Sequence, residues 1–171
     1  MKYPFRVSKL DIRHTRPTYI VLHHTWCQYK IPKIKIDTSE YQMRTIYTQT
    51  MEQKIPDVNY HYVISKIKDD FSAILCRPFV ALCDYPDIDE NINRKAIHVA
   101  LLGNYDLTIP DKRAYEVLAY RVLNPFMKLF SITPARIYLH SELSDNEEET
   151  CPGEFFSKSV TTSFVKRFIM K

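Results

Sequence analysis

Three side chains in the sequence have the chemistry of a metal site. His23 and His140 each follow an apolar stretch that predicts a β-strand, and Cys151 follows the polar segment 144–150. In α/β sheets, functional groups collect at the ends of strands. Two imidazoles and one thiolate bind zinc and leave a fourth position open for water. A second interpretation stays open, in which the histidines are hydrogen-bonded core residues and the cysteine is a small buried hydrophobe.

Short strands interspersed with helices would position these groups. Strands are predicted at 19–22, 60–64, 71–76, 96–102 and 136–139, helices at 37–53, 112–130 and 154–171, and an acidic loop at 84–93. The first strand lacks polar alternation, which favours a position covered on both faces. This order predicts an α/β fold with a central mixed β-sheet flanked by helices. The last helix is expected to pack its apolar face on that sheet, although a membrane-active role is the alternative.

Length and composition exclude several classes of protein. The chain has 171 residues, of which 45% are hydrophobic and 26% charged, so one globular domain with its own core is expected. Its only two glycines, Gly103 and Gly153, exclude a glycine-rich dinucleotide fingerprint and a P-loop. Both are expected where the backbone adopts a conformation that a side chain would oppose.

Basic residues are concentrated near the start of the sequence. Residues 1–35 carry eight basic side chains and one acid, whereas the remainder carries 16 basic and 19 acidic residues. Such an edge would suit a polyanion, or it is simply a solvated surface. No nucleic-acid partner is predicted, because the sequence has neither zinc-finger spacing nor a single-strand-binding aromatic motif.

The cysteines and the first residues indicate where the protein is made. The four cysteines form no CxxC pair, and residues 1–13 are charged, without an apolar stretch of signal-peptide length. No run approaches the roughly 20 apolar residues that a membrane helix needs. We therefore expect cytoplasmic synthesis without a signal peptide, free thiols and no transmembrane segment.

Six short motifs occur in an order that is typical of one protein family. They are Tyr-Ile-Val-Leu-His-His-Thr (19–25), Val-Asn-Tyr-His-Tyr-Val-Ile (58–64), Cys-Arg-Pro (76–78), Ala-Ile-His-Val-Ala-Leu-Leu-Gly-Asn-Tyr (96–105), Leu-His-Ser-Glu (139–142) and Thr-Cys-Pro-Gly (150–153). The ordered set resembles the zinc-dependent N-acetylmuramoyl-L-alanine amidases, which include short phage amidase endolysins and the peptidoglycan recognition proteins. Cys76 and His98 stand where that family usually has glycine. The resemblance implies a single amidase-like domain over 1–171 without a separate wall-binding domain.

The resemblance also implies a ligand set for Zn²⁺. The ligands would be His23, His140 and Cys151. His24 is expected to point to the opposite face of the strand from His23, and so to lie next to the site or at the surface. The cytosolic recycling amidases are a poorer match, because their strand acid and aspartate ligand are replaced by Ala100 and Cys151.

Two further residues would take part in catalysis. Tyr60 matches the family tyrosine whose hydroxyl can hydrogen-bond the attacking water or the oxyanion, although it also fits a half-buried strand residue. Glu149 occupies a position where relatives often have lysine or threonine, and a glutamate there can act as a base. Glu147 and Glu148 compete for that role, or all three belong to a solvated acidic loop. Contacts with ligands or substrate are further expected from His61, Thr25 and Asn104.

The implied activity is hydrolysis of the amide between N-acetylmuramic acid and L-alanine in peptidoglycan. We expect a monomer that lyses the cell wall after its release, as an endolysin of a phage does. Two alternatives remain: a recognition module that binds peptidoglycan without cutting it, and a lysin that also binds a host protein through the basic edge. The presence of all three ligand residues favours hydrolysis.

Overall fold

A five-stranded mixed sheet organises the chain. The computed structural model describes residues 11–25, 58–67 and 69–169, so the helix predicted at 37–53 lies outside the described residues. The strands are β1 (Tyr19–His24), β2 (Tyr62–Ile67), β3 (Asp70–Leu75), β4 (Ala96–Leu101) and β5 (Ile137–Leu139). Their order in the sheet is β3-β2-β4-β1-β5, and only the pairing of β2 with β3 is antiparallel. The predicted mixed sheet is confirmed.

The central strands β1 and β4 are buried on both faces. Every residue of β4 is buried, and so is every residue of β1 after Tyr19. Alternate residues point to opposite faces of the sheet. Ile20 and Leu22 belong to the main hydrophobic core under the helices, whereas Val21 belongs to a smaller cluster on the other face. The uninterrupted apolar run of β1 thus has the two-sided burial that the sequence predicts.

One face of the sheet is covered by a long helix. It runs continuously through α2 (Lys112–Val117), a π-helical segment (Leu118–Leu123) and α3 (Asn124–Phe130). Asp111 caps its start by accepting the N–H of Arg113, and Ser131 ends it in the left-handed conformation at φ 58°. The predicted helix over 112–130 is confirmed, whereas the wider π-helical turn was not predicted.

The last helix, α4 (Lys158–Ile169), packs on the same face. It begins four residues later than predicted, because Ser157 Oγ accepts the N–H of Val160 and acts as the N-cap. Phe156, Phe164 and Val165 are buried in the main core. The apolar side of α4 is therefore used within the fold. No helix in the described part of the chain is long and apolar enough to cross a membrane.

Loops cover the other face of the sheet. They include α1 (Glu90–Asn93), which Asp89 caps and which lies inside the predicted acidic loop. Arg13 links these loops to the start of β4. Its guanidinium donates to the carbonyl oxygens of Phe79, Arg94 and Ala96 at 3.1, 2.7 and 2.6 Å. In the described part of the predicted basic edge, this arginine binds backbone within the fold.

Candidate metal centre

The sheet brings His23, His140 and Cys151 together at one edge. His23 lies at the end of β1, and His140 directly follows β5, which is the parallel neighbour of β1. Cys151 lies in the loop that returns from residue 144 to this edge. One donor atom from each residue lies within 4.8 Å of the others, and all three residues are buried. We call this group the His-His-Cys cluster.

The second nitrogen of each imidazole in the cluster lies close to another polar group. Nε2 of His23 is 2.9 Å from Nδ1 of His98, and Nε2 of His140 is 2.7 Å from Oδ2 of Asp87. Nδ1 of each ring is therefore the nitrogen that remains for a metal. Outer partners of this kind orient metal-binding histidines and fix their tautomers.

The donor set of the cluster fits zinc. Nδ1 of His23 is 3.7 Å from Sγ of Cys151. Tetrahedral zinc, with Zn–N of about 2.0–2.1 Å and Zn–S of about 2.3 Å, holds such a pair of donors about 3.6 Å apart. Two imidazoles and one thiol leave one of the four positions free, as in catalytic zinc sites.

Burial sets the protonation of these groups. It lowers the pKa of His23 well below its ordinary value, and the neighbouring imidazoles of His98 and His140 act in the same direction. His23 is thus neutral at physiological pH, which is the form that binds metals. Burial raises the pKa of the Cys151 thiol, whereas the backbone N–H of His24, which donates to Sγ at 3.4 Å, opposes this effect. A bound cation would strongly favour the thiolate.

The cluster opens into a cavity of about 430 Å³. Its walls are formed by histidines, two tyrosines and the polar segment that precedes Cys151. The lining residues are His23, His24, Tyr60, Tyr85, His140, Asn146, Glu148, Glu149, Thr150 and Cys151. A cavity of this size lies within the range of small-molecule sites. The donor groups are thus accessible from one side although each residue is buried.

Tyr60 lies on the wall of the cavity beside the cluster. Its ring centroid is 5.6 Å from that of His23, and its hydroxyl donates to the carbonyl oxygen of His24 at 3.3 Å. Tyr60 precedes β2, which begins at Tyr62 rather than at residue 60 as predicted. Tyr60 thus faces the same cavity as the cluster.

Glu149 is held at the cluster rather than in solvent. Its Oε1 accepts the backbone N–H of Cys151 at 2.7 Å, and its Oε2 is 4.0 Å from Nδ1 of His140. Glu148 is exposed on the cavity wall, and Glu147 is exposed without lining the cavity. Of the three glutamates, Glu149 is placed best to exchange a proton at the cluster. Glu149 is therefore not part of a fully solvated loop, which was the alternative left open by the sequence.

The structure places His24 next to the cluster rather than at the surface. It is buried, and its Nδ1 accepts the N–H of Tyr105 at 3.2 Å, while Nε2 is 3.9 Å from Oδ2 of Asp106. Tyr105 belongs to the main core, on the opposite face from Val21. The expectation from strand alternation is therefore confirmed.

The three other predicted contact residues make structural hydrogen bonds. Thr25 Oγ1 accepts the N–H of Gly103, and Asn104 Oδ1 accepts the N–H of Asp106. His61 is fully buried, and its Nε2 is 2.9 Å from the carbonyl oxygen of Ala81. None of the three lines the described cavity. Substrate contacts by them remain predictions, whereas their contacts here fix the strand ends behind the cluster.

Three residues around the cluster were not assigned a role from the sequence. Asp87 lies in the acidic loop and meets a histidine 53 positions away, so no local pattern reveals it. Tyr85 stacks on both His23 and His98, each with ring centroids 4.5 Å apart. The sequence analysis noted His98 only because it stands where the resembled family usually has glycine, and it predicted no role for this histidine.

The two glycines adopt the predicted conformations. Gly103 has φ +149° and Gly153 has φ +105°, both of which side chains disfavour. A Cβ atom on Gly153 would lie 2.4 Å from the carbonyl carbon of Tyr105. Gly153 thus lets the chain after Cys151 pass against the backbone that follows β4.

Comparison with known proteins places the chain in a family. A family model described as N-acetylmuramoyl-L-alanine amidase matches residues 13–154. The chain belongs to the N-acetylmuramoyl-L-alanine amidase family. A search of curated protein sequences gave no match. Family membership supports a role in peptidoglycan cleavage or recognition, and amidases of this family are generally zinc-dependent.

Solved structures confirm the amidase fold. The Ph2119 endolysin of Thermus scotoductus MAT2119 bacteriophage Ph2119 is 22% identical, with a TM-score of 0.65 over 91% of this chain and 89% of the endolysin. The endolysin LysCS from Clostridium intestinale URNW is 19% identical, with a TM-score of 0.68 over 97% and 93%. Drosophila peptidoglycan recognition protein SD is 21% identical, with a TM-score of 0.65 over 86% and 80%. At these identities the similarity establishes the fold, as the sequence predicted.

Proposed function

We propose that this family member is a zinc-dependent amidase that cleaves the bond between N-acetylmuramic acid and L-alanine in peptidoglycan. The observation that carries the proposal is the convergence of His23, His140 and Cys151 at an open cavity. When bound there, zinc would lower the pKa of water and polarise the amide carbonyl. The Nδ1 atoms of the two histidines and Sγ of the cysteine would hold it.

In this proposal Glu149 is the general base. Its Oε1 is fixed by the N–H of Cys151, which leaves Oε2 to accept a proton from the attacking water. Since Oε2 is 4.0 Å from Nδ1 of His140, it lies at the edge of the His-His-Cys cluster. The same carboxyl can then return the proton to the leaving amine of L-alanine, which balances the hydrolysis.

Tyr60 would stabilise the developing negative charge on the carbonyl oxygen. Its hydroxyl now donates to the carbonyl oxygen of His24, a neutral acceptor at 3.3 Å. A developing oxyanion is a stronger acceptor than a neutral carbonyl, so the hydroxyl would gain by turning toward it. This contact would be stronger in the transition state than in the ground state, as catalysis requires.

The proposal also includes where the protein is made and where it acts. It is supported by the family and by the fold shared with endolysins. We propose a monomer that is made in the cytoplasm and acts on the cell wall after release. Peptidoglycan recognition without cleavage is the second candidate, because Drosophila peptidoglycan recognition protein SD shares the fold. The complete donor set of the cluster supports cleavage over recognition alone.

Purified peptidoglycan, incubated with the protein in the presence and absence of a chelator, tests the proposal. We expect release of peptides with a free L-alanine N-terminus, detected by mass spectrometry, and its loss on chelation. Cys151→Ser should lose both zinc and activity. Cys83→Ser is the matched control, because this buried cysteine lies outside the cluster. Binding to peptidoglycan without chelator-sensitive release would instead establish a recognition module.

A second pair of variants tests the base. Glu149→Gln keeps an acceptor for the N–H of Cys151 but cannot take up a proton, so kcat should fall by about 10²–10⁴ while zinc stays bound. Glu147→Gln is the control, since this side chain is exposed and does not line the cavity. Equal activity of the two variants would show that another group is the base.

A further inference from the structure

Three buried imidazoles form a row that leads from the His-His-Cys cluster into the protein. Nε2 of His23 is 2.9 Å from Nδ1 of His98, and the backbone N–H of His98 donates to Nδ1 of His61 at 2.9 Å. Nε2 of His61 in turn is 2.9 Å from the carbonyl oxygen of Ala81. His23 is 1% exposed, and the other two histidines are fully buried. Each ring therefore depends on its neighbours for hydrogen bonds.

The proton on His61 is fixed by these contacts. Its Nδ1 accepts a backbone N–H and so carries no hydrogen, which places the hydrogen on Nε2, where it reaches Ala81. His61 therefore takes no part in deciding the tautomer of His23. Among the described residues, the tautomer of His23 depends on two contacts, the close one from Nε2 to His98 at 2.9 Å and the longer one from Nδ1 to Sγ of Cys151 at 3.7 Å.

The side chain of His98 is directed to His23. Its Nδ1 faces His23, and its Nε2 has no hydrogen-bond partner among the described residues. A buried imidazole with one of two nitrogens unpaired costs free energy. Within the described part of the chain, the contact with His23 is thus the polar interaction that this side chain supplies.

Packing holds the two rings in register. On β4, Ala96 and Ala100 lie on the same sheet face as His98 and are small, which leaves room for the imidazoles. The ring of Tyr85 covers both, inclined by 21° to His23 and by 18° to His98. The orientation of the His23–His98 pair is therefore set before any metal binds.

We propose that His98 is a positioning residue for the metal site, because it accepts the Nε2 proton of His23 and leaves Nδ1 of His23 free to bind zinc. The alternative tautomer would place the hydrogen on Nδ1 of His23, facing Sγ of Cys151 at 3.7 Å, and block the metal. This inference rests on the proposed function, since it takes His23 as a ligand.

Zinc affinity measured by competition with a chromogenic chelator tests the role of His98. His98→Leu removes the acceptor and should weaken zinc binding about 10- to 100-fold, the usual effect of losing an outer partner. His98→Asn restores an acceptor oxygen near the position of Nδ1 and should recover most of the affinity. Thr161→Val is the control, since this fully buried polar side chain lies on α4 and donates to the carbonyl oxygen of Ser157. It should lower stability without a comparable loss of zinc affinity.

Imidazole ¹⁵N NMR of the wild-type protein gives a readout that does not require a variant to fold. With zinc bound, His23 should carry its proton on Nε2 and correlate across the hydrogen bond with Nδ1 of His98. The inference is overturned by a proton on Nδ1 of His23, or by a folded His98→Leu protein with wild-type zinc affinity. Failure to bind zinc at all would overturn it together with the proposed function.

The two proposals fail in different ways. Wild-type protein that binds zinc through His23, loses affinity in His98→Leu, and yet leaves peptidoglycan intact would refute the amidase and keep the inference. Active protein whose zinc affinity is indifferent to His98 would do the opposite. Zinc affinity and peptidoglycan cleavage are therefore measured on the same samples.

Discussion

Replacement of Gly153, a buried loop residue, by alanine should destabilise the protein strongly. The new Cβ atom would lie 2.4 Å from the carbonyl carbon of Tyr105 and 2.7 Å from the backbone nitrogen of Asp106. These are backbone atoms, so no side-chain rotation relieves the overlap. The residue also has φ +105°, which an alanine disfavours.

The magnitude follows from two contributions. Holding a non-glycine residue in a sparsely populated backbone conformation costs about 1–3 kcal/mol. The overlap also pushes the two segments apart, so the hydrogen bond from the N–H of Phe155 to the carbonyl oxygen of Tyr105 is lost, at about 1 kcal/mol. We expect the free energy of unfolding to fall by about 3 kcal/mol, a large part of the roughly 5–15 kcal/mol typical of a domain. The melting temperature should fall by about 6–12 °C.

Gly103→Ala is the matched control for this prediction. Gly103 also has a positive φ, but its Cβ atom would meet the ring of Tyr105 at 3.0–3.2 Å, and a ring tip can shift. Urea unfolding of both variants without metal should rank Gly153→Ala as clearly the less stable. A Gly153→Ala protein that is as stable as wild type, or more stable than Gly103→Ala, would refute the reasoning from backbone contact.

Three more predictions concern charge and hydrogen bonding. Arg13→Ala should lower the free energy of unfolding by about 2–4 kcal/mol because three carbonyl oxygens lose a charged donor, whereas the exposed Arg121→Ala should change it by less than about 0.5 kcal/mol in the same urea titration. Burial lowers the pKa of His61 from 6.5 to about 3, so the unfolded chain binds the proton first as pH falls. The free energy of unfolding that depends on this histidine is therefore fully present above about pH 6.5 and is lost as the pH falls toward 3, with about 2 kcal/mol lost at pH 5. Urea titrations of the metal-free protein at pH 7.5 and pH 5 measure this difference, and equal free energies of unfolding at the two pH values would contradict the prediction. Asp87→Asn should weaken zinc binding about 10- to 100-fold, because the carboxylate 2.7 Å from Nε2 of His140 becomes a neutral amide; unchanged affinity in a chelator competition would argue against the assigned contact.

The sequence predicts the sheet well because its signals are local. The uninterrupted apolar run of β1 reflects burial on both faces, and the stripe over 112–130 reflects one helix face in the core. The boundaries are less well predicted where a distant contact decides them. Before α4, which Ser157 caps, the N–H of Phe155 donates to the carbonyl oxygen of Tyr105, a contact that no local pattern contains.

The sequence predicts the three residues that the structure brings together, but it does not predict the residues that surround them. The sequence indicates His23, His140 and Cys151 because each histidine follows an apolar run and the cysteine follows the polar segment 144–150. Asp87 could not, since it is one of several acids in a loop and only the fold brings it to His140. Glu149 was one of three candidates, and only the contact with the N–H of Cys151 separates it from its neighbours.

The distance in sequence between His23 and Cys151 affects how metal binding and folding are coupled. The two residues are 128 positions apart, and closing such a loop in a flexible chain costs about 4 kcal/mol. A zinc ion that joins them would act as a removable cross-link, and at about 1,000 times its Kd it would return a similar amount of free energy. A nascent chain that has not yet reached Cys151 lacks one of the three donors. Under the proposed function, such a chain would neither hold zinc at this site nor cleave peptidoglycan.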